Sequence, residues 1–225
     1  MNSNPQEKKE NDYLPHYTVG EEIFNSVSHG LGVALACVGF GVLIVFSVLY
    51  GNGWAVASSI VYCLGLLELY LASTLYHAAT NRTVKGVLQI LDHCSIFVLI
   101  AATYTPFTLI TLHGEKGWLM FGVVWAMAIV GIILNAIDVK KYSKLSMVCY
   151  ILMGWAILTD LNGLMTGLSK PGVILLVLGG VSYTFGILFY ALRKRYMHSI
   201  WHLFVLGGSV LHFLCIALYV IPTTF

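Results

Sequence analysis

Charge is what this 225-residue chain has least of: Asp, Glu, Lys and Arg together make up 10% of it, where a soluble domain carries about 25%. So little charge places the chain in the membrane class rather than among globular proteins. An excess of one sign is missing as well. A net charge of +2 offers no broad basic face, so no nucleic-acid partner is expected. Paired cysteines are absent: Cys37, Cys63, Cys94, Cys149 and Cys215 stand singly in apolar stretches, with no CxxC motif and no disulfide framework. Their default role is that of small packing residues, although Cys94, two residues from Asp92, is also weighed for a metal or redox role. No cleavable signal peptide is evident, and the first apolar run is expected to act as an uncleaved anchor. Alternation of polar and apolar residues is missing from the long runs, which excludes a transmembrane β-barrel. The two halves show no repeat, so a repeat-built transporter gains no support.

What the chain does have is oil, 58% of its residues. Apolar runs occupy Val27–Tyr50, Trp54–His77, Leu88–Leu112, Trp118–Ile137, Leu145–Met165, Val173–Leu192 and Ile200–Ile221, each near the ~20 residues a crossing helix needs. The expected fold is therefore an all-α membrane protein of seven transmembrane helices. Residues 1–24 are expected to form a polar cytoplasmic tail and residues 25–225 the seven-helix domain. Lys8, Lys9, Arg82, Lys85, Lys140, Lys141, Lys144, Arg193, Lys194 and Arg195 fall on one side of this topology, with only Lys116 and Lys170 on the other. The positive-inside rule then puts the N-terminus in the cytoplasm and the C-terminus outside. Pro106 should kink or break the third span. Gly30, Gly32, Gly39, Gly41, Gly179, Gly180, Gly207 and Gly208 permit close helix packing.

Four ionisable residues, distant in sequence, end up at one depth. His77 closes the second span, Asp92 opens the third, and His198 and His202 open the seventh, each within about 10 Å of a cytoplasmic basic residue at 1.5 Å rise per residue. Ionisable groups inside membrane spans are costly and mark functional sites. His198 and His202 are one turn apart on a shared face and can grip one ion together. Ser73 lies one turn before His77, where its hydroxyl could orient an imidazole or a water. Asp92, Ser95, Leu99 and Thr103 make one face of the third span. Ser209 and His212 continue the face of His198 and His202, but His212 lies about 15 Å from His202 by rise, too far to share an ion.

Three imidazoles suit zinc, and three protein ligands leave a tetrahedral position open for water, as in a catalytic site. Zinc draws the pKa of such a water towards neutrality. Asp92 could bind the metal directly, or hold the water and act as a general base. Against this stands the simpler possibility that an HxxxH pair near an interface is two solvated histidines; His77 and Asp92 at matching depth tip the balance to metal. His29 and His93 also lie near the inner face, with His93 rotated about 100° from Asp92 and assigned to support or packing. Glu22, Asn25, Ser28 and His29 gather at the start of the first span, where they could cap that helix or border the site, with Asn25 or Ser28 as the expected cap. Glu68 and Asp160 are intraspan acids. Glu68 lies on the face opposite His77 and suits a paired structural or ion-path group.

These residues resemble a known family. Glu22-Ile23-Phe24-Asn25-Ser26-Val27-Ser28-His29-Gly30, Ser73-Thr74-Leu75-Tyr76-His77, Leu91-Asp92-His93 and His198-Ser199-Ile200-Trp201-His202 look like the motifs of the hemolysin III group, within the progestin and adipoQ receptor (PAQR) superfamily. The resemblance covers nearly the whole chain. It implies an inner-leaflet zinc ion held by His77, His198 and His202, with Asp92 approaching through a water and Ser73 in support. With only a short polar head, the chain is similar to bacterial members, in the cytoplasmic (plasma) membrane, rather than to hormone receptors. The resemblance also implies membrane lipids as partners and an activity in lipid homeostasis, with ceramidase-like hydrolysis of a lipid amide or ester. Two alternatives come from other classes. One is a hemolysin-type protein that permeabilises membranes, against which the seven spans and the missing secretion signal argue. The other is a zinc-stabilised ion or proton pathway through Glu68, Asp160 and His212.

Overall fold

The first helix begins well before the first apolar run. In the computed structural model, which describes residues 14–192 and 194–223, α1 spans Val19–Tyr50. Its N-cap is Thr18: the Thr18 hydroxyl accepts from the Glu21 amide at 3.3 Å, and Glu21 Oε2 accepts from the Thr18 amide at 2.9 Å, a reciprocal capping box. The expected cap at Asn25 or Ser28 is thus corrected. The box satisfies the helix end two turns earlier, and both residues are buried on the inner face of α1. α1 thus begins inside the stretch expected as the polar tail, with residues 19–24 helical; residues 1–13 of that tail lie outside the described residues.

α2 (Gly53–Ala78) and α3 (Arg82–Pro106) start from Asn52 and Asn81, each side chain accepting two amides of the first turn. Pro106 does not stop the third rod. Instead the backbone passes into a wider π-helical turn, Phe107–Leu112, and reverses at His113 (φ 37°) and Gly114 (φ 66°). α4 (Gly114–Gly154) is helical on both sides of a break at Asp138, whose backbone is extended (φ −164°, ψ 97°). The Ser146 hydroxyl donates to Asn135 Oδ1 at 2.7 Å. In a continuous helix those residues would be about 16 Å apart along the axis, so the chain folds back at Asp138. Asp138 Oδ1 then caps the returning half by accepting from the Lys141 amide at 2.8 Å. The expected loop over residues 138–144 is therefore a one-residue break, with residues 139–144 helical. A 3₁₀ turn (Ala156–Asp160) and α5 (Leu161–Gly167) follow, then α6 (Lys170–Ala191) and α7 (Met197–Cys215), which runs on through a π turn, Ile216–Val220.

By length and apolarity, six helices are fit to cross a membrane; one of them, the 54-residue stretch Gly114–Gly167, contains the break at Asp138. No strand occurs among the described residues. α1 packs on α2, α2 on α3 and α3 on α4; α6 packs on α7, which returns to α1. Large apolar side chains cover the outside, such as Val19, Val38, Leu119 and Ile137, as a lipid-facing surface requires. Since lipid is as apolar as leucine, close approach and polar ties must hold the helices together. Gly32 lies against the Tyr70 ring, Gly131 against Phe97 and Gly179 against His212, where a Cβ would collide; of the expected packing glycines, Gly41 touches nothing within 4 Å. Deep in the bundle, Ser209 Oγ bonds the hydroxyls of Tyr70 (2.7 Å) and Tyr183 (2.8 Å).

Candidate metal centre

α2 delivers His77 in its last turn, and the end of that helix is fixed from α3. Lys85 Nζ donates to the carbonyls of Tyr76 (2.8 Å) and Ala79 (3.2 Å), placing a cation on the negative end of α2. The same ammonium pairs with Glu22 Oε1 at 3.0 Å, and Glu22 Oε2 accepts from His77 Nδ1 at 2.7 Å. α7 starts from Tyr196 in the left-handed region (φ 59°), whose amide donates to Glu21 Oε1 at 2.8 Å. The first turn of α1 thereby sets where α7 begins, and α7 presents His198 and His202 on successive turns.

The three imidazoles meet. His198 Nε2 is 3.3 Å from His77 Nε2 and 3.1 Å from His202 Nε2, and one ligand atom from each residue lies within 4.8 Å of the others. The hydrogen bonds at the far nitrogens fix the tautomers. His77 Nδ1–H donates to the Glu22 carboxylate. Ser28 Oγ gives its own proton to the Asn25 carbonyl (3.0 Å), so it accepts from His202 Nδ1–H at 3.3 Å. That leaves the Nε2 lone pairs of His77 and His202 facing inward, an arrangement that repels itself unless a cation is shared. Ligands about 2.0–2.1 Å from a tetrahedral zinc ion lie about 3.3–3.4 Å apart, close to the spacing here. The carboxylate behind His77 is the usual partner of a metal-bound imidazole. These three residues therefore fit a divalent metal ion.

Asp92 and Ser73 stand beside this cluster. Asp92 is 4% exposed, Ser73 is fully buried, and the Ser73 hydroxyl neighbours the Asp92 carboxylate with no other partner. Ser95, Leu99 and Thr103 continue the buried face of α3 as expected. His93 is not part of the cluster: its Nδ1 lies 2.9 Å from the Gln89 carbonyl and 3.8 Å from Asp92 Oδ2, and its Nε2 3.4 Å from the Tyr190 hydroxyl. His29 is fully buried and stacks on the His202 ring at 3.6 Å between centroids, with both nitrogens unpartnered. Cys94 packs against the Ile132 carbonyl on the far side of α3, away from the histidines. Glu68 is exposed on α2, Asp160 caps α5 and pairs with Lys116 at 3.4 Å, and His212 contacts the Leu176 carbonyl at 3.0 Å. Among the described residues no hydrogen bond or ion pair joins any two of these three.

The model of the Haemolysin-III related family matches residues 17–213. This chain belongs to the haemolysin III family. The Hemolysin-3 homolog of Bacillus subtilis (strain 168) is 41% identical to it over 210 residues, covering 93% of this chain and 99% of the relative. Hemolysin-3 of Bacillus cereus is 43% identical over 206 residues, 91% and 94% of the two chains. The human Monocyte to macrophage differentiation factor, 28% identical over 220 residues and covering 92% and 89%, ties the haemolysin III chain to the PAQR superfamily.

Three residues around the centre of this haemolysin III protein escape a sequence reading. Lys85 counts there only as a topology charge, yet it holds Glu22 and the end of α2. Glu21 resembles any first-turn acid, yet it bridges α1 to Tyr196. Tyr17, half-buried, places its ring 5.6 Å from His77 and 5.0 Å from His198. Burial pushes its phenol well above the usual range, with nearby Tyr76, Tyr190, Asp92 and Glu22 adding to the effect, so it stays a neutral donor. Proximity of Glu22 to the first span was the one available signal.

Proposed function

We propose that this protein is a zinc-dependent membrane hydrolase that acts on an amide or ester of a membrane lipid and so serves lipid homeostasis. The observation that carries the proposal is the convergence of three imidazoles, two of which, His77 and His202, have their Nδ1 protons committed elsewhere. The topology that goes with it has seven crossings, the fold-back at Asp138 dividing the 54-residue stretch in two, with the N-terminus in the cytoplasm. The site then lies at the inner leaflet of the bacterial plasma membrane, where the basic residues gather.

His77, His198 and His202 would hold the zinc ion, which supplies Lewis acidity and a lowered water pKa. Glu22 keeps the His77 ring oriented and its Nε2 free. Asp92, buried beside Ser73, is the proton acceptor, and the Ser73 hydroxyl, which has no other partner, orients that carboxylate. Tyr17 covers the rings of His77 and His198 and limits water. The test is metal analysis of purified protein together with release of fatty acid from a panel of lipid amides and esters. Stoichiometric zinc and turnover are expected, both lost in a His198→Ala/His202→Ala double variant. Asp92→Asn should keep the metal and lose about 10²–10⁴ in rate, as removal of a general base does. Zinc without turnover on any lipid would reject the hydrolase.

A second reading, membrane permeabilisation, is favoured by one observation: both bacterial relatives are named hemolysins. It gives the buried histidines no task. Leakage of dye from liposomes in proportion to protein, unchanged by the histidine substitutions, would establish it instead.

A further inference from the structure

A cleft of about 610 Å³ opens between the N-terminal end of α1 and the C-terminal end of α2 and reaches His77. Its floor is polar and internally paired: His77 and Lys85 both bind Glu22. One wall is a stripe of Val19, Ile23 and Val27, spaced four apart on α1 and 76%, 59% and 66% exposed. That stripe faces away from the bundle, so the cleft is open towards lipid. The other lip carries Thr80 and Arg82.

The charges in this cleft do not balance. Glu22 is matched by Lys85, while the exposed Arg82 has no carboxylate or other hydrogen-bond partner among the described residues. The amides at the start of α3 are not free to take up an anion, because Asn81 Oδ1 already accepts from Thr83 N (3.0 Å) and Val84 N (3.1 Å). What remains is one guanidinium fork, with the Thr80 hydroxyl beside it, above an apolar wall. A guanidinium recognises phosphate through paired hydrogen bonds, and the volume is of the size that holds a small ligand.

We propose that this cleft binds a phosphate-bearing glycerolipid, the Arg82 guanidinium on the phosphate and an acyl chain along Val19, Ile23 and Val27. The proposal rests on the lipid-hydrolase reading and gives it a substrate class: a lipid with an anionic headgroup rather than a neutral one. Arg82 is a specificity residue here, and it takes no part in holding the metal.

Binding decides the matter without turnover. Full-length protein in a neutral maltoside detergent is titrated by calorimetry with dioctanoyl phosphatidic acid, dioctanoylglycerol and inorganic phosphate, with Arg82→Gln in parallel. Phosphatidate is expected to bind saturably. Arg82→Gln, which leaves an exposed position uncharged, should weaken that binding about 10- to 100-fold, the range for a hydrogen-bonded charge, and leave dioctanoylglycerol unchanged. Equal affinity for the two lipids, or phosphatidate binding indifferent to Arg82→Gln, overturns the headgroup assignment. Inorganic phosphate binding as tightly as phosphatidate overturns the lipid assignment. Metal content and fatty-acid release are measured on the same preparations. Selective binding without release rejects the hydrolase and keeps the headgroup site; release from neutral and anionic lipids alike, independent of Arg82, does the reverse.

Discussion

Glu22 serves two partners with its two oxygens, the His77 imidazole on one and the Lys85 ammonium on the other. Each contact depends on the other. Without Lys85 the carboxylate would be half-buried beside a histidine with no countercharge, and without Glu22 the Lys85 ammonium would lean on two carbonyls alone. Glu22→Gln keeps the shape and removes the charge, so His77 loses the partner that fixes its tautomer. Metal affinity should fall about 10- to 100-fold, read by competition with a coloured chelator, while the helical circular dichroism is retained. Ser28→Ala tests the equivalent contact of His202 and should have a smaller effect, since a neutral hydroxyl is lost rather than a carboxylate. The histidines themselves were legible in the sequence because charge position fixes depth and a four-residue spacing fixes a helix face. The link between Glu22 and Lys85 was not. Their pairing joins two helices 63 positions apart in the numbering, and neither local spacing nor hydropathy encodes which helices touch.

Helix boundaries in this chain are set by polar devices that apolar runs do not reveal. The Thr18–Glu21 box starts α1 ahead of the oil, and Asp138 interrupts α4 without any proline or glycine. Asn135 holds the fold-back together: its Oδ1 accepts from Ser146, and its Nδ2 donates to the His93 carbonyl at 3.2 Å. Asn135→Ala removes both ties, and a third from Nδ2 to the Tyr150 hydroxyl at 3.4 Å, and strands a buried serine hydroxyl. A loss of about 1–3 kcal/mol is expected, seen as a lower midpoint of thermal unfolding in detergent. Asn135→Asp should not rescue it fully, because the donor to the His93 carbonyl is gone. At the other end, Glu21→Ala dissolves the capping box and the bond to the Tyr196 amide together. It should cost about 1–2 kcal/mol and also weaken metal binding, since α7 loses its anchor. A cap with no second role would lower the unfolding midpoint alone. The sequence predicts the length and position of most rods well, because a rod in lipid must be long and apolar. It misses the starts and the break, because these depend on one or two hydrogen bonds.

At the scale of the molecule, the three candidate ligands come from α2 and α7, while α1 lies between them and braces both through Glu22 and Ser28. An ion at this point therefore ties three helices into one unit. Adding a strong chelator should lower the unfolding midpoint of the wild type, and free metal at 100 times its dissociation constant should restore about 2.7 kcal/mol. His198→Ala/His202→Ala protein should show neither effect. A cysteine placed at Asp138 in a cysteine-free background should react with a membrane-impermeant reagent only in inverted vesicles, if the fold-back lies in the cytoplasm. Labelling from the outside would reverse the proposed topology.

The order in which the chain is made gives the bond from Glu21 to the Tyr196 amide a further meaning. Synthesis runs from the N-terminus, so α1 and α2 enter the membrane with Glu22 and His77 long before α7 exists. Of the three clustered histidines that early intermediate holds only His77, a poor trap for an ion. The cluster closes only when the last rod arrives and docks on the first, through a contact waiting at the very start of α1. A ribosome-stalled chain ending before Met197 should therefore leave no metal bound, and on the proposed reading metal would load only once insertion is complete.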